Sequence, residues 1–310
     1  MSTSERPAWY RPDASLAARM VVTMFLLGAV YVVFAVILRY VLGFSWLALI
    51  LVALVVAGIQ FFFADKIALR SMRARIVNEH DEPKLHEIVA RLAAQANLPK
   101  PQIALISSSV PNAFATGRSK NHAVIAVTTA LSDQLSTPEL EAVIAHELTH
   151  IVNRDMLVMT LATFFSIVAA LLVQNMFLLS GSGRRRNNQQ AALALLLVVS
   201  LATYMLSFLL IRALSRYREL AADRGSALTT GAPEHLSSAL IHIDEIMHGA
   251  KGERIPETDF RQAQSVSSLC IMPVVEGNPL ATLLSTHPSL EQRLEQMQRM
   301  QRQMEAMPVG

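Results

Sequence analysis

The sequence predicts an α+β protein, a mainly helical domain with a small sheet, combined with about four transmembrane helices. Four runs, 20–38, 40–64, 156–183 and 187–211, contain no Asp, Glu, Lys or Arg, and each is long enough to cross about 30 Å of hydrocarbon as a helix. Apolar residues make up 52% of the 310 residues and charged ones 16%, well under the roughly 25% charge of a soluble domain. Between the runs, the aliphatic stretches Ile103 to Ser107 and His122 to Val127 read as short strands, and the segments around them as helices.

Taken in order, residues 1–64 form an N-terminal transmembrane hairpin. The polar lead through Arg19 and the span-length first run argue for a retained anchor rather than a cleavable signal peptide. Residues 65–155 form the first part of a soluble domain, 156–211 a second hydrophobic hairpin, and 212–310 the rest of that domain. Lys66, Arg70, Arg73 and Arg75 follow the second run and place the soluble parts in the cytoplasm by the positive-inside rule. Arg184, Arg185 and Arg186, between the last two runs, oppose that rule, whereas Arg212, Arg216 and Arg218 restore it. The second hairpin either crosses or lies buried at the interface or against the protein. Both answers leave residues 146 and 219 on one side of the membrane.

Within the first soluble part, residues 81–99 read as an amphipathic helix with Pro83 in its first turn, and His86 as a surface residue. The two strands bracket the segment from Pro111 to Lys120. The tail repeats apolar residues at Leu290, Leu294, Met297, Met300 and Met304, a helical stripe that packs on the body.

The chemistry concentrates in the run from Thr137 to His150. Ser136 or Thr137 caps it, Pro138 lies in its first turn, and acidic residues sit where the helix dipole favours them. His146 and His150 then lie one turn apart on one face, so two imidazoles can converge on a metal. Ile144, Leu148 and Ile151 fall on roughly the opposite side, which predicts a buried helix whose metal face opens on a cleft. Glu147, about 100° around the helix, reaches a metal-activated water without competing for the ion and is the natural general base. A catalytic zinc needs a third protein ligand. Glu219 is the best candidate, on a helix following the last apolar run, with Ala221 and Ala222 permitting close helix approach. Asp223, one turn further, would accept the outer N–H of a ligating histidine.

These residues resemble the HtpX branch of the membrane-bound gluzincin proteases, and more distantly the CAAX prenyl endoproteases. The likeness spans Pro111 to Gly117, His146 to Asp155, Ser215 to Asp223 and Ser285 to Arg293. It implies a zincin-like fold, one Zn2+ per chain, hydrolysis of peptide bonds in misfolded or damaged membrane proteins, and a multi-pass place in the bacterial cytoplasmic (inner) membrane. It also implies that Asn112 to Gly117 forms or adjoins a sheet edge where an extended substrate pairs, with Asn112, Ala113 and Phe114 as substrate-binding residues. His287 and Arg293 match a late motif able to supply a donor to an oxyanion or to substrate carbonyls. The stretch 249–278 matches nothing.

Other classes fare less well. The net charge of +3 comes mainly from arginines flanking apolar runs and carries no nucleic-acid signal. Cys270 stands alone, which excludes an internal disulfide and leaves it a small buried hydrophobe. The uncharged runs offer no ion path for a transporter. A non-catalytic metal-binding adaptor or holdase is opposed by Glu147 and by a ligand set that leaves one position open. A CAAX-type processing protease is opposed by the small number of spans. His242, Glu245 and His248 drift around a helix and read as polar surface, while His80, His86, His122 and His235 read as structural. Oligomeric state is not encoded in any pattern here.

Overall fold

The structure, a computed structural model, describes residues 14–42, 45–174, 187–248, 255–259, 261, 271 and 285–306. The Arg184 to Arg186 loop, Cys270 and most of 249–278 lie outside these residues. Two long helices open the chain, α1 (Ala14–Leu42) and α2 (Trp46–Ser71). The mixed α/β part follows: β1 (Arg75–Ile76), α3 (Pro83–Gln95), β2 (Gln102–Ile106), β3 (Ala113–Gly117), β4 (Ala123–Thr128), α4 (Thr129–Gln134) and α5 (Thr137–Asn153). Then come α6 (Asp155–Gln174), α7 (Asn187–Thr230), α8 (Pro233–Met247) and α9 (Leu290–Glu305).

The sheet has the order β1-β2-β4-β3, with β2 and β4 parallel and both outer pairs antiparallel. Strand β4 is buried at every position, and its two-residue period divides it between two cores. Ala123, Ile125 and Val127 join the main core with α3, α5, α8 and α9. Val124 and Ala126 join Phe114, Met72 and the end of α2 on the other face.

Both strands expected from the sequence are present within a residue, and two more complete the sheet. The bracketed segment 111–120 is therefore partly strand: β3 pairs Ala113 with Val127 through Gly117 with Ala123. Its end requires glycine, because Gly117 has φ +130° and a Cβ there would lie 2.2 Å from the His122 carbonyl oxygen. His86 is half-buried rather than a surface residue, its Nε2 lying 3.1 Å from the Val77 carbonyl oxygen, which ties α3 to the chain entering it.

Of the four expected spans, two meet the requirements of length and apolarity outright among the described residues, Ala14–Val41 and Ala191–Thr230. The α5–α6 pair would make a third only if read as one span, and it bends by 62°. Since α5 lies in the core against the sheet, the bend marks where the chain leaves the mixed α/β part. Helices α1, α6 and α7 pack together through Leu27, Tyr31, Ala162, Ile211 and Leu214. They leave Val21, Phe25, Val32, Leu201 and Leu209 exposed, as lipid-facing helices do. Helix α7 has 44 residues, about 66 Å at 1.5 Å per residue. It runs unbroken from the apolar bundle into the main core.

Candidate metal centre

Helix α5 is built to hold its position. Glu139, in its first turn, accepts from the Ser136 N–H at 2.9 Å and hydroxyl at 2.7 Å, closing a capping box. Its other oxygen accepts from the Ser238 hydroxyl on α8 at 2.6 Å. Helix α7 crosses α5 closely, because Gly225 faces Thr149 and Ser226 donates to the Ala142 carbonyl at 2.6 Å. The small residues expected to permit this approach include Ala222, fully buried, but contact centres on Gly225 and Ser226.

This crossing brings His146 and His150 of α5 against Glu219 of α7. The two Nε2 atoms are 3.2 Å apart, and Glu219 lies 3.4 Å from His146 Nε2 and 3.5 Å from His150 Nε2. Two ligands of a tetrahedral ion with bonds of about 2.0–2.1 Å lie about 3.3–3.4 Å apart. The three donors fit one shared cation. With each Nδ1 turned toward an acid, the neutral imidazoles would present two Nε2 lone pairs to that cation.

Each imidazole is oriented from behind. His146 Nδ1 is 3.0 Å from Asp223, whose carboxylate is held by Arg293 through Nε at 2.9 Å and a second nitrogen at 2.5 Å. His150 Nδ1 is 2.6 Å from Asp155, which lies 3.2 Å from Arg218. Asp155 and Arg218 were not anticipated in these roles. The available signal was an acid five residues past the second histidine, just beyond the helix end. Arg154 makes it work: it caps α5 in the left-handed region, φ 57°, and turns Asp155 back under His150.

Glu147 lies beside the three donors and accepts from the Ala115 N–H of β3 at 2.8 Å. That amide is on the edge of β3 away from β4, so the general-base candidate touches a sheet edge that pairs with no strand among the described residues. Ala113 and Phe114 are buried in the two cores. Asn112 and Arg293 meet at Ile271: the Asn112 carboxamide oxygen accepts from its N–H at 3.0 Å, and Arg293 donates to its carbonyl at 2.6 Å. His287 Nδ1 is 3.2 Å from Glu219, while its buried Nε2 has no hydrogen-bond partner among the described residues.

The metal face, expected to open on a cleft, is instead enclosed: His146, Glu147, His150, Glu219 and His287 are all buried. Enclosure shapes the charges. Burial alone would lower the His146 imidazole, but Asp223 and Glu219 outweigh it and carry it up to about 9. Burial would raise Glu219, yet the charges of His287 and His150 hold it well below the usual carboxylate range. Asp223 is likewise drawn down against its burial, chiefly by Arg293. Glu147 goes the other way, pushed up by burial against the pull of the two histidines. A carboxyl shifted toward neutrality beside a pair of ionised acids is the separation of roles that acid–base chemistry uses.

The sequence profile of peptidase family M48 matches residues 79–301, which takes in every residue of this centre. A protease HtpX homolog of Moorella thermoacetica is 48% identical over 295 residues, covering 94% of this chain and 97% of that protein. A protease HtpX homolog 2 of Methanosarcina acetivorans is 47% identical over 296 residues, covering 96% and 98%. Among solved structures, the crystal structure of S. mikatae Ste24p aligns with a TM-score of 0.53 at 21% identity, over 91% of this chain and 66% of that one, a likeness of fold. The apolar helices, the converging donor set and these relationships agree: the chain belongs to peptidase family M48, as a membrane metalloprotease of the HtpX type.

Proposed function

We propose that this protease is a zinc metalloendopeptidase of the HExxH plus ExxxD kind, with His146, His150 and Glu219 as zinc ligands and Glu147 as general base. The observation that carries this reading is the convergence of three donor atoms beside a buried carboxyl that also contacts an open strand edge. When bound, zinc supplies a Lewis acid that polarises a carbonyl and makes water acidic near neutral pH. Glu147 takes the proton of the attacking water and delivers it to the leaving amine nitrogen. Asp223 and Asp155 hold the two imidazoles in the tautomer that presents Nε2. His287 Nε2, buried without a partner among the described residues, donates to the oxygen that gains charge as the carbonyl is attacked.

In this reading, a substrate strand adds to the outer edge of β3 near Ala113 and Phe114, its main chain aligned by backbone hydrogen bonds. Asn112 and Arg293 act from behind by fixing Ile271 and Asp223. Residues 65–155 and 212–310 form one split catalytic domain around the membrane helices, facing the cytoplasm from a bacterial inner membrane. Its substrates are misfolded or damaged membrane proteins.

The test compares wild type with Glu147→Gln in detergent, both zinc-loaded, on an unfolded model substrate. Cleavage by the wild type alone, with equal zinc in both, assigns Glu147 as the base. Failure of both at full occupancy favours a metal-binding adaptor instead, and absence of zinc in both refutes the ligand assignment.

A further inference from the structure

A cavity lies to one side of the helix that carries Glu219, along the face of Arg216, Tyr217, Leu220 and Arg224. It has a volume of about 500 Å3 between the start of α1, the middle of α7 and the face of α9. Four arginines line it, Arg19, Arg216, Arg224 and Arg299, against one acid, Glu295. Glu295 pairs with Arg299 across a helical turn at 3.2 Å, and Arg216 donates to the Ser285 carbonyl at 3.3 Å. The cavity therefore carries an excess of three positive charges over its own acid. Apolar walls stand beside them in Leu16, Leu220 and Met300.

Its level in the molecule is informative. Arg19 is the last charged residue before the apolar run of α1, and Arg216 lies five residues past the end of the apolar run of α7. Within the next two turns of α1, Val21, Val22 and Phe25 are 67%, 56% and 74% exposed, so the lipid-facing band begins where the cavity ends. Clustered arginines with apolar walls at the boundary between headgroups and hydrocarbon match the chemistry of an anionic headgroup carrying a phosphate. A soluble phosphate would use the guanidinium groups but not the apolar approach from the bilayer side.

We propose that this cavity seats the phosphate-bearing headgroup of an anionic lipid drawn from the leaflet nearest the catalytic domain. The occupant would lie against Leu220, next to Glu219, and Pro288, next to His287. A lipid would thus brace, from the membrane side, the two segments that close over the metal centre, without touching that centre.

The experiment is native mass spectrometry of the full chain released from micelles doped with equal amounts of phosphatidylglycerol and phosphatidylcholine. The wild type should retain one phosphatidylglycerol in clear preference to phosphatidylcholine. The Arg19→Gln/Arg299→Gln variant should lose that retention by roughly thirtyfold, the size expected for two arginine charges near a lipid surface. A matched variant, Lys66→Gln/Arg70→Gln, removes two exposed cations at the membrane edge of α2 and should retain lipid as the wild type does. Equal unfolding midpoints across the three proteins show that the comparison concerns binding. Equal loss in both variants, or equal retention of the two lipids by the wild type, overturns the proposal. Displacement of phosphatidylglycerol by an equal concentration of inorganic phosphate overturns the lipid as the source and leaves a free-anion site.

Discussion

The two imidazoles of the centre are supported by arms of the same composition and opposite construction. Behind His146, the acid-to-arginine link is the strong one: Asp223 and Arg293 are both fully buried and joined by two nitrogens. Behind His150, the histidine-to-acid link is the short one at 2.6 Å, while Arg218 Nε approaches Asp155 at 3.2 Å without hydrogen-bond alignment. The first arm joins residues 146, 223 and 293 from α5, α7 and α9, so it exists only once three helices have docked. The second begins within five residues at the α5–α6 bend and is set by a local turn. The first arm belongs wholly to the tertiary fold, whereas in the second the His150–Asp155 link is local and only Arg218 comes from α7.

That contrast makes its largest prediction at the acids. Asp223→Ala strands the fully buried Arg293 charge and should cost about 3–5 kcal/mol of stability together with metal binding. Asp155→Ala leaves Arg218 buried but with 11% of its side chain still exposed, and should weaken metal affinity by about 10–100-fold at a smaller cost to the fold than Asp223→Ala. Thermal unfolding and metal content, measured on both purified variants, separate the two. Equal loss of stability would show that the arms are not different in kind.

The next effect comes from prising the helices apart. A Cβ on Gly225 would lie 2.3 Å from Thr149 Cγ2. In open helix, Gly→Ala should help by up to about 1 kcal/mol. Here the short, β-branched neighbour cannot swing away, so Gly225→Ala should instead cost about 1–3 kcal/mol. It should also move Asp223 and Glu219 away from His146 while leaving His150 on Asp155. Adding Thr149→Ala should restore part of the loss. A stabilised Gly225→Ala protein would mean that the α5–α7 crossing is looser than these contacts imply.

Glu139 tests the start of α5, which serves both arms equally. Burial would raise its carboxyl, but hydrogen bonds from Ser238 and Ser136 outweigh that and lower it. A lowered folded-state value means that ionisation stabilises the fold above the ordinary carboxylate range, about 4.5, and that this is lost as pH falls through the lowered value. Glu139→Gln should therefore cost about 1 kcal/mol at neutral pH, with the gap to wild type closing on acidification. A pH-independent gap would point to shape rather than charge.

The same division between local and assembled structure explains what the sequence revealed. His146, Glu147 and His150 were legible because helical spacing alone brings them together, and the Ser136–Glu139 box marks where that helix begins. Glu219 and Asp223 were legible as a pair four apart, though their meeting with α5 depends on Gly225, which carries no chemical signal. Strand β3 was legible only through the resemblance, which put Asn112 to Gly117 at a sheet edge, because Ala113, Phe114, Ala115, Thr116 and Gly117 lack a β-branched alternation; pairing with β4 makes it a strand. Arg293 was seen as a possible donor to substrate, yet its partner is seventy residues away, beyond any periodic pattern. The enclosure of the centre was missed for a similar reason: His287 reaches it from a segment that only tertiary packing brings near.

The smallest effect should lie at Arg154, and it isolates the local arm. A side chain at φ 57° costs about 1–2 kcal/mol relative to right-handed backbone. Arg154→Gly removes that strain but gives the unfolded chain more freedom, about 0.4–1 kcal/mol in the opposite direction. The strain relief is the larger, so Arg154→Gly should hold or raise stability by up to about 1 kcal/mol with metal affinity close to wild type. Arg154→Val keeps the length of the turn but places a β-branched residue where it fits worst. The turn should then relax toward ordinary backbone and swing Asp155 off His150. Metal affinity should fall toward that of Asp155→Ala, while the Asp223–Arg293 pair keeps the fold near its wild-type unfolding midpoint. If the valine variant binds metal as tightly as the glycine variant, the turn does not set the His150–Asp155 link, and α6 packing in the membrane bundle must hold Asp155 instead.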